Sequence, residues 1–440
     1  MEKVFRNMVI FLFVIFFLFP IIDGSAKERG VVEEILDILK DKKVISNQKY
    51  DELKKRAEAE EIKEIASAQK LKEIAKDSKI PASLKGLKIG ALWYLDYKAG
   101  EEDDDSYNGF SITRGYLDIK KELTPWLSLR FTPDIKRKSD GDLEMRIKYL
   151  YARIHFPDIG GLLTENFVEI GQIHMPWLDF EEHINPYRCQ GTMFLERNHM
   201  FNSADQGIAL FGYFGGEMNE DFQKNVNHHY AGYYGSYSLG VFNGGGYHAG
   251  ENNNNKTVEG RVTLRPFPEL LPGLQISYFG IYGKGNLKED EEYYFRGTFL
   301  ASSNIKRQLS SLPKWWANTA YISYEAPFYS LAFQYGHVKG SQKGLYKYDD
   351  KNVVDERQKR GFSVFAMVRV PQYEQFRIWG RYDIWDPDTS NSSDIERRSI
   401  FGISYDLYKE NMLLFAYENT SYDEKSPDDS FFQTVFQVKF

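Results

Sequence analysis

The sequence predicts an all-β protein, a transmembrane antiparallel β-barrel of about 16 strands with an α-helical segment ahead of it. Three observations carry that expectation. From Leu87 onward short stretches alternate apolar and polar residues, and the connections between them alternate short and long. Aromatic residues make up 16% of the chain although its mean hydropathy is −0.51. Beyond Ala26 no run reaches the about 18 consecutive apolar residues that a spanning helix needs, which excludes a helical membrane protein.

Residues 1–26 read as a secretory signal peptide. Lys3 and Arg6 precede the apolar stretch Met8 to Phe19, and small residues follow at Gly24-Ser25-Ala26. The stretch is about 12 residues, short of the roughly 20 of a permanent anchor. No cysteine stands directly after it, and the only one in the chain, Cys189, leaves no disulfide framework and reads as structural.

Residues 27–80 form a second segment, rich in Glu, Lys, Ile, Leu and Ala, that ends at Pro81. Val31, Ile35, Ile38 and Leu39, then Ile62, Ile65, Ala66 and Ile74, follow helical spacing, with Ser46 a candidate N-cap. Lys27 to Lys79 holds 14 Lys and Arg against 13 Asp and Glu. A periplasmic coiled coil that oligomerises the chain and a spacer helix packed on its own barrel both fit, because the heptad is not sustained.

Residues 81–440 are the barrel. Strand starts are expected near Leu87, Phe110, Trp126, Leu143, Phe167, Gln206, Tyr230, Thr257, Leu274, Trp316, Tyr329, Arg360, Gln375, Arg398, Asn411 and Ser430. Leu127, Leu129, Phe131 and Ile135 share one face, opposite Ser128, Arg130, Thr132, Asp134 and Lys136. Met145, Ile147, Tyr149 and Tyr151 likewise oppose Glu144, Arg146 and Lys148, and Phe376, Ile378, Tyr382 and Ile384 oppose Arg377, Trp379, Arg381, Asp383 and Trp385. Arg130, Lys136, Arg146, Lys148, Arg377 and Arg381 are therefore candidate lumen charges, and a lumen lined so must hold water. Short connections (Leu123-Thr124-Pro125, Pro266 to Pro272, Ala326-Pro327, Pro371-Gln372-Tyr373, Lys409-Glu410) alternate with long ones (Leu178 to Asp205, Asn286 to Lys314, Ser341 to Lys359). Gly216 to Asn227 breaks the alternation and marks a possible miscount.

The last strand ends at Phe440, with Phe432, Thr434, Phe436 and Val438 on its face and Gln433, Val435, Gln437 and Lys439 on the other. It resembles the terminal strand of bacterial outer-membrane barrels, whose final aromatic residue is read by the barrel-assembly machinery. Gly171-Gln172-Ile173-His174-Met175-Pro176-Trp177, then Phe194-Leu195-Glu196-Arg197-Asn198, resemble the G-Q-x-x-x-P-[FW] and F-x-E-R pattern of the phosphate-selective porin O and P family. Arg360-Gly361-Phe362-Ser363-Val364-Phe365-Ala366 and Arg381-Tyr382-Asp383-Ile384-Trp385-Asp386-Pro387 are similar to its paired C-terminal strands, and Ile38-Leu39-Lys40 through Tyr50-Asp51-Glu52-Leu53 to a helical extension on some members. The resemblance implies a homotrimeric, water-filled channel of the outer membrane that passes small hydrophilic or anionic solutes. The family's arginine ladder maps onto no particular residues here.

In 16-stranded porins the third long loop folds into the lumen, which makes Leu178 to Asp205 the candidate constriction, with Glu181, Glu182, Arg188, Glu196 and Arg197 setting a transverse field. The chain carries net charge −7, and about −8 falls on the barrel; the acids Glu101 to Asp105, Asp423, Glu424, Asp428 and Asp429 are expected in outer loops, where they could meet lipopolysaccharide through divalent cations. The inward cations argue for anion preference. A structural or adhesive barrel whose helical segment contacts the cell wall is the alternative. No G-x-S-x-G elbow is present, so no catalytic residue is assigned. No cofactor or metal is assigned either, His228-His229 and Asp179 to His183 being too bare for one. Net negative charge gives no support for nucleic-acid binding.

Overall fold

The computed structural model describes residues 84–102, 105–138, 141–296, 305–348, 351–423 and 428–440, with Lys40, Ser46, Asn47, Tyr50, Lys54 and Lys55. The expected signal peptide lies outside the described residues, as does nearly all of the helical segment. Residues 1–85 and 86–440 are separate units. In the first, the Tyr50 amide donates to the Ser46 carbonyl at 2.9 Å.

The second unit is a closed antiparallel barrel. Its first nine strands are β1 (Leu87–Glu102), β2 (Asp105–Thr124), β3 (Leu127–Arg137), β4 (Leu143–His155), β5 (Leu163–His174), β6 (Ala204–Phe214), β7 (Gly235–Phe242), β8 (Thr257–Leu264) and β9 (Leu274–Lys284). β12 (Lys314–Ala326), β13 (Tyr329–Lys339), β16 (Gln358–Val370), β17 (Tyr373–Asp386), β18 (Glu396–Tyr408), β19 (Asn411–Tyr422) and β20 (Asp429–Lys439) complete the sixteen. β1 pairs with β20 from Leu92 opposite Lys439 to Glu101 opposite Ser430, so the sheet has no free edge. Leu87, Leu143, Thr257, Leu274, Tyr329 and Asn411 begin strands where the sequence places them.

The wall strands turn apolar side chains outward and keep many polar ones inside, the reverse of a protein that faces water. In β8, Thr257, Glu259, Arg261 and Thr263 are buried while Val258, Val262 and Leu264 are exposed. In β13, Leu331 and Phe333 are exposed between buried Ser330, Ala332 and Gln334. An exposed apolar surface that runs around a whole barrel far exceeds the few hundred Å² a soluble monomer carries, so the outer wall suits hydrocarbon. At the short-turn end Trp126, Phe267, Phe328, Tyr373, Tyr408 and Phe440 all stand exposed, an aromatic girdle of the kind found at a membrane interface. Phe440 closes the seam, its amide and carbonyl bonded to Ala91 and its ring edge-on to Trp93 at 6.0 Å.

Four expectations need correction. Tyr149 and Tyr151 face the lumen, not the lipid. Thr132 pairs with Tyr149 and Pro133 with Ile147, so Lys148 is an extra residue in β4, and the bulge reverses the phase downstream. Pro133, which has no N–H to give, sits at that break in the ladder. Leu150 turns outward in consequence, 52% exposed.

The long connection from Gly216 to Asn227 hides no strand. Between β6 and β7 the chain forms α3 (Glu220–Asn225), capped by Asn219 Oδ1 accepting from the Phe222 amide at 2.9 Å, and then turns back into the barrel. The other departure lies at the long-loop end. Two connections read as plain loops contribute β10 (Glu292–Phe295), β11 (Ile305–Gln308), β14 (Leu345–Tyr348) and β15 (Lys351–Val354) to a second sheet of order β11-β10-β15-β14, over a core of Leu287, Leu309, Leu312 and Val354. Glu101 and Asp105 lie within the strand hairpin of β1 and β2, not in a broad loop.

Gly171 of the G-Q motif has a physical reason to be glycine. Its φ is +131°, and a Cβ there would meet the Leu150 carbonyl oxygen at 2.4 Å and Tyr151 Cα at 3.0 Å. Gly171→Val is expected to add on the order of 1–3 kcal/mol of backbone strain at the β4–β5 contact. Its loss of heat-modifiable migration in detergent gels at a lower temperature than wild type would report that strain; an unchanged transition would refute it.

Candidate functional site: a divided lumen

Met175 to Ser203, the connection from β5 to β6, folds inward because it carries an apolar stripe. It holds α1 (Leu178–Ile184) and α2 (Phe194–Arg197). Trp177, Phe180, Ile184, Tyr187, Phe194 and Leu195 are all fully or nearly fully buried. They rest on an inner wall that is itself apolar over β9, β12, β13 and β16 to β20, including Phe279, Trp315, Phe365, Trp379, Trp385 and Leu414. Trp177 stacks on Phe279 at 5.4 Å, and Tyr187 on Trp379 at 4.2 Å. Burial of each such side chain is worth roughly 1.5–3 kcal/mol, so the loop is held as a core is held. The wall leaves room for it: a Cβ on Gly336 would meet Leu195 at 2.8 Å, and one on Gly361 would meet Phe194 at 2.9 Å.

Polar struts fix the loop's register. Arg197 donates to both Glu418 carboxylate oxygens at 2.8 and 2.7 Å, and Gln190 Nε2 donates to the same carboxylate at 2.6 Å. Arg381 is paired with Asp383 at 2.7 Å and donates to the Thr192 carbonyl at 3.1 Å. Trp177 Nε1 donates to Glu181 at 2.7 Å; burial pushes that carboxyl up to about 8. Burial lowers the Arg197 guanidinium to about 10 against the pull of Glu418, and pushes the Cys189 thiol up to about 12, where it is inert.

From the short-turn end the β6–β7 connection reaches up and clasps the same loop. Tyr230 Oη donates to Asp179 at 2.6 Å, and Asn227 Nδ2 to the His183 carbonyl at 3.1 Å and to Glu325 at 2.9 Å. The His229 ring lies 3.6 Å from that of His183 and 3.9 Å from that of His228. Burial, then the two facing imidazoles, lowers His229 to about 3. Burial works against ionisation of Asp179, but His183 and the Tyr230 hydroxyl hold it well below the usual carboxylate range. Among the described residues no group of three or more His, Cys, Asp or Glu side chains is arranged to hold a metal ion.

The wall of β1 to β5 remains wet and charged. Between it, the inward loop and the clasp lies a cavity of about 740 Å³, lined by ten Arg and Lys against six Asp and Glu. Asp118 takes Arg130 at 2.8 Å, and Glu169 takes Arg153 at 2.6 Å and His174 at 3.0 Å. Arg114 lies 4.6 Å from the Tyr116 ring centre and 5.3 Å from that of Tyr94. Lys148 donates to Ser203 and lies 4.1 Å from the Tyr247 ring centre. Among the described residues neither Arg114 nor Lys148 forms an ion pair with a carboxylate.

The predicted residues divide accordingly. Arg130, Lys148, Glu182, Arg188 and Arg377 line the cavity, Arg188 held by Glu182 at 2.8 Å and Glu196 at 3.0 Å, and Arg377 paired with Asp406. Glu181, Arg197 and Arg381 do not line the cavity and act as struts of the loop. Arg146 pairs with Asp134 at 2.8 Å. Lys136 continues β3 opposite Glu144, and its side chain is outside the described residues. Arg114 was not foreseen; the bulge between Tyr94 and Leu95 obscures the alternation of β2 against β1.

No protein-family model matches the chain, and no curated protein sequence does. Its fold is similar to that of solved outer-membrane proteins. Salmonella typhi OmpF, in complex with daunomycin, aligns at TM-score 0.53 and 10% identity over 80% of this chain and 97% of that one. The anion-selective porin from Comamonas acidovorans aligns at 0.51 and 11%, over 80% and 99%. A loop L8 deletion mutant of OmpT, an outer membrane protein of Vibrio cholerae, gives the same four values. Such likeness identifies the fold as that of the 16-stranded porins.

Two outcomes are expected from this geometry. Arg197→Met leaves the buried Glu418 carboxylate with Arg398 at 3.2 Å and Gln190 as its remaining partners and should cost about 1.5–3 kcal/mol, read as a lower thermal midpoint in detergent. Because His229 titrates lower in the fold than the ordinary 6.5, its contribution is complete above about 6.5 and is lost as pH falls toward 3. Hydrogen exchange in residues 226–230, corrected for intrinsic rate, should therefore rise between pH 7.5 and 4.5, and His229→Phe should flatten that rise.

Proposed function

We propose that the chain is an outer-membrane porin through which small hydrophilic solutes diffuse passively, with a preference for anions. The observation that carries the reading is the sign of the cavity: cations outnumber carboxylates ten to six in a chain whose net charge is −7. Charge near the narrowest water path acts on a passing ion more directly than the acids of distant loops. Arg114 and Lys148, which line the wall of β2 and β4 and have no carboxylate partner among the described residues, are the groups on which selectivity depends most. The solved structures of similar fold support the channel reading, one of them being an anion-selective porin in its own right.

The remaining parts follow the same reading. Residues 1–26 direct export and 27–80 form a helical periplasmic segment ahead of the barrel at 81–440. Phe440 is the assembly signal, the working unit is a homotrimer, and the outer loops meet lipopolysaccharide. The motifs at Gly171 to Trp177 and Phe194 to Asn198 favour membership of the phosphate-selective porin O and P family. The folded outer sheet, with its exposed strand β11, gives the adhesive alternative its one specific observation.

Single-channel recording in planar bilayers tests the proposal. Stable conductance steps and a reversal potential of anion-selective sign in a KCl gradient are expected. Arg114→Glu and Lys148→Glu should each move that potential toward the cation side. Arg381→Glu, placed against Asp383 and under the loop, should lower the yield of folded barrel instead. Absence of conductance steps would end the porin reading in favour of an adhesive barrel.

A further inference from the structure

We infer that the cavity beside the inward loop is a subsite for planar aromatic monocarboxylates, a class of solute narrower than small anions in general; the inference rests on the anion-preferring pore reading. Two features of the wall combine. Among the described residues six of the ten lining cations are matched by carboxylates; of the other four, Arg261 is spent on the Pro176 carbonyl, Ser236 and Thr263, which leaves Arg114, Lys148 and Arg369, a thin supply of charge that suits a singly charged anion better than a densely charged one. Two of these are also backed by aromatic rings: Arg114 lies over Tyr116 and Tyr94, and Lys148 over Tyr247, with Tyr149 further off at 5.5 Å.

A guanidinium that rests one face on a tyrosine still has its other face and its N–H edge to offer. A flat ring can lie on that face while its carboxylate takes the N–H donors, which extends the stack by one layer. Across the same cavity the loop presents Pro186, an aliphatic surface that gains nothing from a hydrated ion and something from an apolar ring. Inorganic phosphate fits this arrangement poorly. It needs a cluster of free donors, whereas most cations here are already matched by carboxylates.

The test compares benzoate, cyclohexanecarboxylate, acetate and inorganic phosphate, in two measurements on the full-length protein. Calorimetric titration in detergent should give benzoate the tightest binding, by about fivefold over cyclohexanecarboxylate, which has similar size and charge but no flat face. In bilayers benzoate should reduce the chloride current saturably, with the same order among the four anions. Tyr116→Leu should erase the difference between benzoate and cyclohexanecarboxylate in the titration. Equal binding of those two, tighter phosphate, or no binding of any would overturn the subsite. Conducting channels without a benzoate preference would leave the porin reading standing and remove this one; benzoate preference in the titration without conductance would do the reverse.

Discussion

The rest of the molecule depends on the pairing of its first strand with its last. A sheet surrounded by hydrocarbon has no water to satisfy its edge N–H and C=O groups, each of which would cost several kcal/mol unpaired, so it must close. The ladder between β1 and β20 meets that demand along Leu92 to Glu101, and the Phe440 backbone extends it by one residue at the short-turn end. Closure fixes the inside and outside of every strand at once. Only then does an apolar exterior become stable, and only then is there a lumen to divide.

That lumen holds two different interiors. On one side the inward loop and the wall of β9, β12, β13 and β16 to β20 form a core much like that of a soluble domain, with stacked aromatics, a buried carboxylate bridged by Arg197 and Gln190, and an inert thiol. On the other side charges face water across a cavity. The same loop therefore has two jobs: its Trp, Phe and Leu side chains secure it, and its Glu182 and Arg188 reach into the cavity. A charged residue near the lumen is thus no guide to selectivity until one knows which interior it belongs to.

This explains how far the sequence could be read. Period-2 alternation and proline-marked turns are local signals, so the barrel, its strand count and strand starts such as Leu143 and Thr257 were legible. The inward fold of the loop was legible by resemblance. The roles of Arg381 and Arg197 were not, because their partners Asp383 and Glu418 matter only once the loop lies on that wall. Tyr149 and Tyr151 were misread because alternation assumes an unbroken ladder, and Arg114 was missed for the same reason in β2, where Thr113 is the extra residue. The sheet of β10, β11, β14 and β15 joins two loops far apart in sequence, which no local pattern reveals.

The bulge at Lys148 has a consequence for how β4 can vary. Upstream of it the lipid face falls on odd-numbered positions, Met145 and Ile147; downstream it falls on even-numbered ones, Leu150 and then Ala152 and Ile154. Tolerance to polar substitution along this strand should therefore switch phase in mid-strand. An insertion or deletion of one residue on either side would turn half of the strand inside out, exchanging lipid contacts for lumen ones. Lys148 and Tyr149, adjacent residues that both line the cavity, are thus held there by a defect in the repeat, and a perfectly regular strand could not carry them.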